Sequence, residues 1–395
     1  MSTGHSGDLP ILPGATLGVL GGGQLGRMFA HAAQRMGYFT AVLDPDADSP
    51  AGRVSHHHVR ADYLDEIGLA QLSGHAEAIT TEFENVPAGA MARLAEHRPV
   101  APGAKAVAIA QDRTEEKAHF TRCGVRCAPY AAITSEEDIA RAGDELLPGI
   151  LKTSRLGYDG KGQQGVATRG ELGAAWAAAG QVPCVLEKRL DLDFECSVIV
   201  ARGQDGKAVN FQPQRNLHRG GILAVTEAHD EAVPAETARH AVESALAIAH
   251  GLNYVGVLCV EFFVLKDGSL VVNEMAPRPH NSGHYTIDAC DLSQFDLQVR
   301  TLAGLPLVTP RQHSPAVMLN LLGELWLTQG AKPVEPDWPS VLALPGTQLH
   351  LYGKLDARAG RKMGHLNITS PTVAELRQTA QKAAALLGLP SPFAA

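Results

Sequence analysis

No run of apolar residues in this sequence approaches the roughly 20 needed to span a bilayer, and its first residues lack the charged-then-apolar pattern of a secretory signal. No membrane role is expected on those grounds. Cysteine is sparse: Cys123, Cys127, Cys184, Cys196, Cys259 and Cys290 lie scattered, with no Cys-x-x-Cys pair. Most fall inside apolar strand-like runs, which suits reduced core thiols better than metal ligands or disulfides. The cytoplasm is the expected location. Positive charge is also short. The 42 Asp and Glu outnumber 34 Lys and Arg, for a net charge of −8, which argues against non-specific nucleic-acid binding. No G-x-x-x-x-G-K-[ST] occurs, so there is no Walker A loop. With 45% hydrophobic and 19% charged residues, this is an ordinary globular chain. Its 395 residues suffice for roughly two to four modules.

What is present concentrates in residues 260–286, VEFFVLKDGSLVVNEMAPRPHNSGHYT. Residues 262–266 and 269–273 read as two strands, with Asp267-Gly268 as a two-residue hairpin turn. A turn centred there places Glu261 directly opposite Glu274. Like charges at cross-strand distance destabilise a sheet unless something compensates, and a hard cation such as Mg²⁺ would do so. A solvated hairpin end with screened carboxylates is the plain alternative. The following segment, Pro277-Arg278-Pro279-His280-Asn281-Ser282-Gly283-His284, is too rich in Pro and Gly for a helix. It sets a guanidinium, two imidazoles, an amide and a hydroxyl beside those carboxylates, which points to a phosphate-handling site.

In chain order, Thr16–Leu20 reads as a buried strand followed by Gly21-Gly22-Gly23-Gln24-Leu25-Gly26 and a helix. Phe39–Leu43 is the next strand and ends at Asp44. This G-x-G-x-x-G, with an acidic residue at about the ribose-contact distance, taken alone says dinucleotide. The weaker claim is a phosphate held at a helix N-terminus, and a tight turn without ligand is the alternative. His56-His57-His58 reads as a solvated loop or edge rather than a metal cluster. Residues 78–83 form a third strand-like run, and the Glu82 and Glu84 that end it either hold a ribose or amine or lie in solvent. Asp112-Arg113-Thr114-Glu115 has capping-box spacing and starts a helix that ends near Gly124.

Residues 150–153 read as a strand with Lys152 embedded in it. The loop beyond carries Gly157, Gly160, Gly162 and Gly165 with Arg155, Tyr158, Asp159 and Lys161, before a return strand at 164–168. Such a hairpin can fold over a triphosphate, or it is simply mobile. Residues 183–190 run into Glu187-Lys188-Arg189-Leu190, a hinge that could offer adenine-edge acceptors. Residues 194–202 and 208–212 read as a strand pair, and His218 in the next loop as a surface histidine. A helix spans 234–250. After Leu302 comes a module of about ninety residues with a proline-rich connector at 331–339. Its LHLYGK stretch at 349–354 and the basic Arg361-Lys362-Met363-Gly364-His365 suit a phosphate ester or a solvated turn.

The lysine strand, glycine-rich hairpin, hinge acids and paired-carboxylate hairpin, in that order, resemble the ATP-grasp superfamily. Within it, GGGQLGRM, GYDGKGQ, NEMAPRPHNSGHYT, YGK and RKMGH resemble the signatures of the N5-carboxyaminoimidazole ribonucleotide synthetase family. The resemblance spans nearly the whole chain, with the leader before Pro13 outside it. It implies a mixed α/β, three-part fold. A flexible leader covers 1–14, a Rossmann-like open parallel sheet 15–110, and the small lobe with its lid 111–190. The large lobe with the metal site covers 191–308, and a C-terminal domain 309–395.

It implies further that ATP phosphorylates bicarbonate to carboxyphosphate, and that 5-aminoimidazole ribonucleotide then captures the carboxyl group or CO₂. Arg113 and Lys152 would touch ATP phosphates beneath a lid of Gly157, Tyr158, Asp159, Gly160, Lys161, Gly162 and Gln163. Glu187, Lys188, Arg189, Leu190 and Glu195 would line the adenine and ribose pocket, with His218 nearby. Glu261 and Glu274, beside Asn273, would hold Mg²⁺, with Mn²⁺ an alternative ion. Arg278, His280 and Asn281 would bind bicarbonate and carboxyphosphate. Tyr158, Asp159 and Lys354 would place the imidazole ribonucleotide, with Gly22, Gln24, Leu25, Glu82, Arg361 and Lys362 around it. Lys161 departs toward a point charge where arginine would be equally at home, so bidentate contacts there are not assured. A homodimer is the family expectation. Two rival readings stay in view: a formate-using glycinamide ribonucleotide transformylase of the same superfamily, and a nicotinamide-dependent oxidoreductase built on Gly21–Gly26 and Asp44.

Overall fold

The computed structural model describes residues 10–157, 162–327 and 333–393. Three sheets form among them. The first holds β1 (Thr16–Leu20), β2 (Phe39–Leu43), β3 (His57–Val59) and β4 (Ala78–Thr81), all parallel in the order β3-β2-β1-β4. Both faces of β1 are covered, so it reads as an unbroken apolar run. The helix Gln24–Arg35 follows it and buries Leu25, Met28, Phe29 and Ala32 against Leu17 and Val19. Leu20 and Thr81 are neighbours at the carboxyl ends of β1 and β4, so the glycine turn and Glu82 face one crevice.

The dinucleotide reading fails at Asp44. Its carboxylate accepts the N–H of Gly22 at 2.6 Å, the N–H of Asp46 at 2.8 Å and the hydroxyl of Tyr63 at 2.7 Å. Buried and saturated, it closes the turn and has little left to offer a ribose. The three histidines behave as an edge: His57 stacks on His75 at 4.2 Å, and His58 contacts the Asp44 carbonyl at 3.1 Å.

The second sheet holds β5 (Tyr130–Ile133), β6 (Gly149–Thr153), β7 (Gln163–Val166) and β8 (Cys184–Lys188), antiparallel in the order β5-β8-β6-β7. Leu172 and Trp176 of the helix Arg169–Ala178 cover it. The third sheet has nine strands: β9 (Leu192–Arg202), β10 (Ala208–Asn210), β11 (Gln214–Arg219), β12 (Ile222–Ala228), β13 (Gly256–Leu265), β14 (Leu270–Ala276), β15 (Ala316–Leu322), β16 (Thr347–Leu351) and β17 (Lys362–Thr369). Its order is β14-β13-β9-β11-β12-β15-β17-β16, with β10 beside β9. The helix Ala235–Gly251 seals one face with Ala241, Ala245 and Ile248.

Strands β11 and β12 correct the expectation of a loop around His218. Arg219 pairs with Ile222 across Gly220-Gly221, whose φ values of 58° and 79° make a two-residue hairpin turn. His218 therefore sits in a strand near the sheet's centre. The residues expected as a separate C-terminal module also extend this sheet, because β12 pairs with β15 from Val225↔Leu319 to Ala228↔Ala316.

The β13–β14 hairpin reaches the expected opposition by an unexpected route. Its loop has three residues, Lys266, Asp267 and Gly268 (φ 80°), between Leu265 and Ser269, which exchange a 2.9 Å hydrogen bond. That turn puts Phe262 opposite Val272, one residue off the two-residue register. Asn273 is then an extra residue, a bulge that restores Glu261↔Glu274. Two departures cancel. Finally, the capped helix Gln294–Ala303 is buried along its whole length. Phe295, Val299 and Leu302 enter the core of the first sheet, while Leu297 enters that of the third.

Asp44→Ala strips acceptors from three donors in one turn, so it should cost on the order of 3 kcal/mol of stability. ADP affinity should stay unchanged. Denaturant unfolding and calorimetric ADP titration check both, and lost ADP affinity in a folded variant would restore a ligand role for Asp44.

Candidate active site

A cleft of about 1370 Å³ opens where the three sheets meet. The third sheet forms its floor with Glu195, His218, Glu261, Asn273 and Glu274. The second sheet contributes Lys152, the lid ends Gly157, Gly162 and Gln163, and the hinge Glu187, Lys188, Arg189 and Leu190. Gln24, Leu25 and Glu82 approach from the first sheet, and Lys354, Arg361 and Lys362 from the C-terminal strands. Arg113, Arg278, His280 and Asn281 complete it. Gly22 stays outside, tied to Asp44. Tyr158, Asp159, Gly160 and Lys161 lie outside the described residues.

Each of the opposed carboxylates has its own partners among the protein's side chains. Glu261 meets His280 Nε2 at 2.9 Å and His218 Nε2 at 4.0 Å. Burial pushes Glu261 up, but His280, then His218 and Arg278, override it and hold the carboxyl at about 2. Glu274 pairs with Arg113 at 3.0 Å. His218 also pairs through Nδ1 with Glu195 at 2.8 Å. Burial opposes the charged ring of His218, yet Glu195 and Glu261 raise its pKa. Possible metal ligands crowd around Glu261, with Cys259 and His280 on one side and Glu195 and His218 on the other; Glu274 is in neither group. At the bulge between the two glutamates, the buried Asn273 Oδ1 accepts no hydrogen bond among the described residues.

Behind Arg113, burial pushes the Glu116 carboxyl up to about 8 despite the pull of Arg113. It fixes strand β14 by accepting the Met275 N–H at 2.7 Å.

Past β14, Asn281–Gly283 forms one tight 3₁₀ turn, and the ring of His280 accepts the Ser282 N–H at its start. Gln294 holds the His280 backbone from both sides, at 2.9 and 2.8 Å. Arg278 is clamped by the Glu84 carboxylate. Neither polar atom of the buried Asn281 amide has a partner among the described residues. Buried polar groups are normally satisfied, so a small polar ligand beside Arg278 fits that vacant amide.

Two expected roles change. Glu82 accepts from the N–H groups of Gly23 at 2.9 Å and of Leu25 and Gly26 at 3.2 Å. Its carboxylate thus already sits where the glycine turn was expected to take a phosphate. Glu187 was expected at the adenine edge, yet its carboxylate is buried between two lysines, Lys117 at 3.0 Å and Lys152 at 2.9 Å.

Three families match in succession. Residues 14–111 match the ribonucleotide synthetase preATP-grasp domain, residues 118–295 the ATP-grasp domain, and residues 316–379 the phosphoribosylaminoimidazole carboxylase C-terminal domain. The N5-carboxyaminoimidazole ribonucleotide synthase of Brucella melitensis is 46% identical over 364 residues, covering 91% of this chain and 98% of the relative. That of Bacillus subtilis is 40% identical over 361 residues, covering 90% and 92%. The chain belongs to the N5-carboxyaminoimidazole ribonucleotide synthase family. The crystal structure of the Staphylococcus aureus synthetase complexed with ADP superposes with a TM-score of 0.87 at 37% identity, covering 96% of this chain and 99% of that one. The Aspergillus clavatus synthase in complex with ADP and 5-aminoimidazole ribonucleotide gives 0.85 at 30% identity, covering 95% and 98%.

Within this synthase-family cleft, sequence reading passed over Lys117 and Glu116, and gave Glu84 only as a ribose or amine contact or a solvated side chain. Lys117 stands four residues after Arg113, one turn along the same helix face, which was the available signal. Burial raises Glu84, but the Arg278 guanidinium overrides it and holds the carboxyl at about 2. Its folded pKa is thus depressed. Ionised Glu84 stabilises the fold above the ordinary carboxylate value near ~4.3, and that contribution fades as pH falls toward ~2. Glu84→Gln, which strands buried Arg278, should cost about 3–5 kcal/mol at neutral pH. Its deficit against wild type should shrink below about pH 4. Urea unfolding across that range decides it; a deficit independent of pH would show that the ion pair is not its source.

Proposed function

We propose that this chain carboxylates 5-aminoimidazole ribonucleotide with ATP and bicarbonate, an ATP-dependent ligase step of purine (IMP) biosynthesis that yields N5-carboxyaminoimidazole ribonucleotide. The observation that carries the reading is convergence: one cleft gathers a phosphate lysine, a carboxylate hairpin, an unsatisfied amide beside a guanidinium, and a basic rim from the C-terminal strands.

A bicarbonate oxygen attacks the terminal phosphorus of ATP and ADP leaves, giving carboxyphosphate. The exocyclic amine of the ribonucleotide then attacks the carboxyl carbon, or CO₂ released from it, while phosphate departs and the amine loses a proton. Arg278, His280 and Asn281 hold bicarbonate and its phosphorylated form, with Glu84 fixing the Arg278 plane. Arg113 and Lys152 meet the nucleotide phosphates; Leu190, Glu195 and His218 border adenine and ribose. Lys354, which donates to the Lys362 carbonyl at 2.7 Å, stands with Gln24, Arg361 and Lys362 at the ribonucleotide end. Glu82 occupies the helix N-terminus there and presents a carboxylate to ribose hydroxyls or amine rather than to phosphate. A mixed anhydride hydrolyses unless water is kept out, and a glycine-rich lid over residues 157–163 would supply that exclusion.

Glu261, Glu274 and the free Asn273 Oδ1 are all hard oxygen donors, which fits Mg²⁺ or Mn²⁺. Such an ion would supply neutralisation of phosphate charge. The divisions at 15–110, 111–190, 191–308 and 309–395, a cytoplasmic location and a homodimer belong to the same proposal.

ADP release by purified protein with ATP, Mg²⁺ and bicarbonate, with and without the ribonucleotide, is the direct test. Strong stimulation that requires both bicarbonate and ribonucleotide is expected, and turnover indifferent to the ribonucleotide would remove it as acceptor. Glu274→Ala should abolish turnover with the fold intact, and undiminished turnover would remove it as metal ligand. Lys354→Ala should raise the KM for the ribonucleotide far more than that for ATP; the reverse pattern would move Lys354 to the nucleotide side.

A further inference from the structure

Lys117 is among the most buried residues of the molecule, 1% exposed, and it faces the same carboxylate as Lys152. Lys117 comes from the helix Arg113–Arg122, Lys152 from β6 and Glu187 from β8. Lys117 Nζ lies 3.0 Å from one Glu187 oxygen and Lys152 Nζ 2.9 Å from the other. Two ammoniums share one carboxylate, so the group carries a surplus positive charge. The lysines differ in access: Lys152 borders the cleft, whereas Lys117 is enclosed and also lies over the Tyr130 ring at 5.6 Å.

Removing one partner from a buried one-to-one ion pair strands the other, a heavy penalty. A phosphate drawing Lys152 away from a glutamate with no second partner would meet that penalty in full. With Lys117 in place, Glu187 remains paired when Lys152 moves.

We propose that Lys117 is a positioning residue: it keeps Glu187 neutralised so that Lys152 can exchange that carboxylate for the phosphates of an arriving nucleotide. The inference rests on the reading that Lys152 contacts nucleotide phosphate. Burial raises the Glu187 carboxyl, but Lys152 and then Lys117 overcome it and keep it below its ordinary range.

Calorimetric titration of the full chain with ADP and with AMP tests this on Lys117→Met, Lys152→Met and the double variant Lys117→Met/Glu187→Gln. Lys117→Met should weaken ADP binding about ten- to a hundredfold, the worth of a charge-assisted phosphate contact. AMP affinity should change little, since the adenine pocket is untouched. The double variant should recover ADP binding, because Lys152 then has no carboxylate to hold it. A structural role for Lys117 alone predicts no such recovery. If Lys152→Met weakens ADP while Lys117→Met does not, the inference fails and the reading of Lys152 stands. If Lys152→Met binds ADP as wild type does, that reading itself fails. Should Lys117→Met not fold, the double variant, which strands no buried carboxylate, still decides: ADP affinity well below wild type would overturn the proposal.

Discussion

The opposition of Glu261 and Glu274 across β13 and β14 imposes a charge problem that the surrounding side chains answer one by one. His280 and His218 answer for the first glutamate, Arg113 for the second. Each partner is itself tied down: His218 to Glu195, the His280 backbone to Gln294, and Arg113 to the head of a helix capped by Asp112. The carboxylates therefore do more than await a cation. They orient an arginine and two histidines toward the space where an anionic substrate would lie, and low solvent access strengthens every one of those contacts.

Much of this was legible in residue order, for uneven reasons. The parallel first sheet could be read because apolar runs and a glycine turn are local signals, as could the opposed glutamates. The latter came through by cancellation: a three-residue turn shifted the register, and the Asn273 bulge shifted it back. Bulges follow from how a strand must bend against its neighbours, and no local residue pattern announces one. Strands β11 and β12 did leave a signal in Gly220-Gly221, but QRNLHR alternates polar and apolar too weakly to be read as a strand. The fates of Asp44, Glu82 and Glu187 were not legible. An acidic residue at or just past the carboxyl end of a strand looks the same whether it meets a ribose, a helix N-terminus or a buried lysine, and long-range partners decide which.

The cleft's cations are also held in pairs with the protein's own carboxylates. Arg278 rests on Glu84, Arg113 on Glu274, and Lys152 on Glu187. Unpaired cations of this kind would repel one another and loosen the walls, whereas paired ones are held in place. A phosphate that took over one of these cations would bind with the difference between two ion pairs rather than the whole worth of one.

The division of labour among the sheets follows from what joins them. The helix Gln294–Ala303 enters the cores of both the first and third sheets with apolar side chains, so those two form a fixed floor. The second sheet has a core of its own, from Ile133 to Leu186, that shares no side chain with theirs. Its links to the helix Arg113–Arg122 are polar: the Arg113 N–H to the Ser154 carbonyl at 2.9 Å, Arg155 to Asp112 at 3.1 Å, and Lys117 to Glu187. The second sheet is thus joined to the other two through polar contacts on the helix that also carries Arg113 and Lys117.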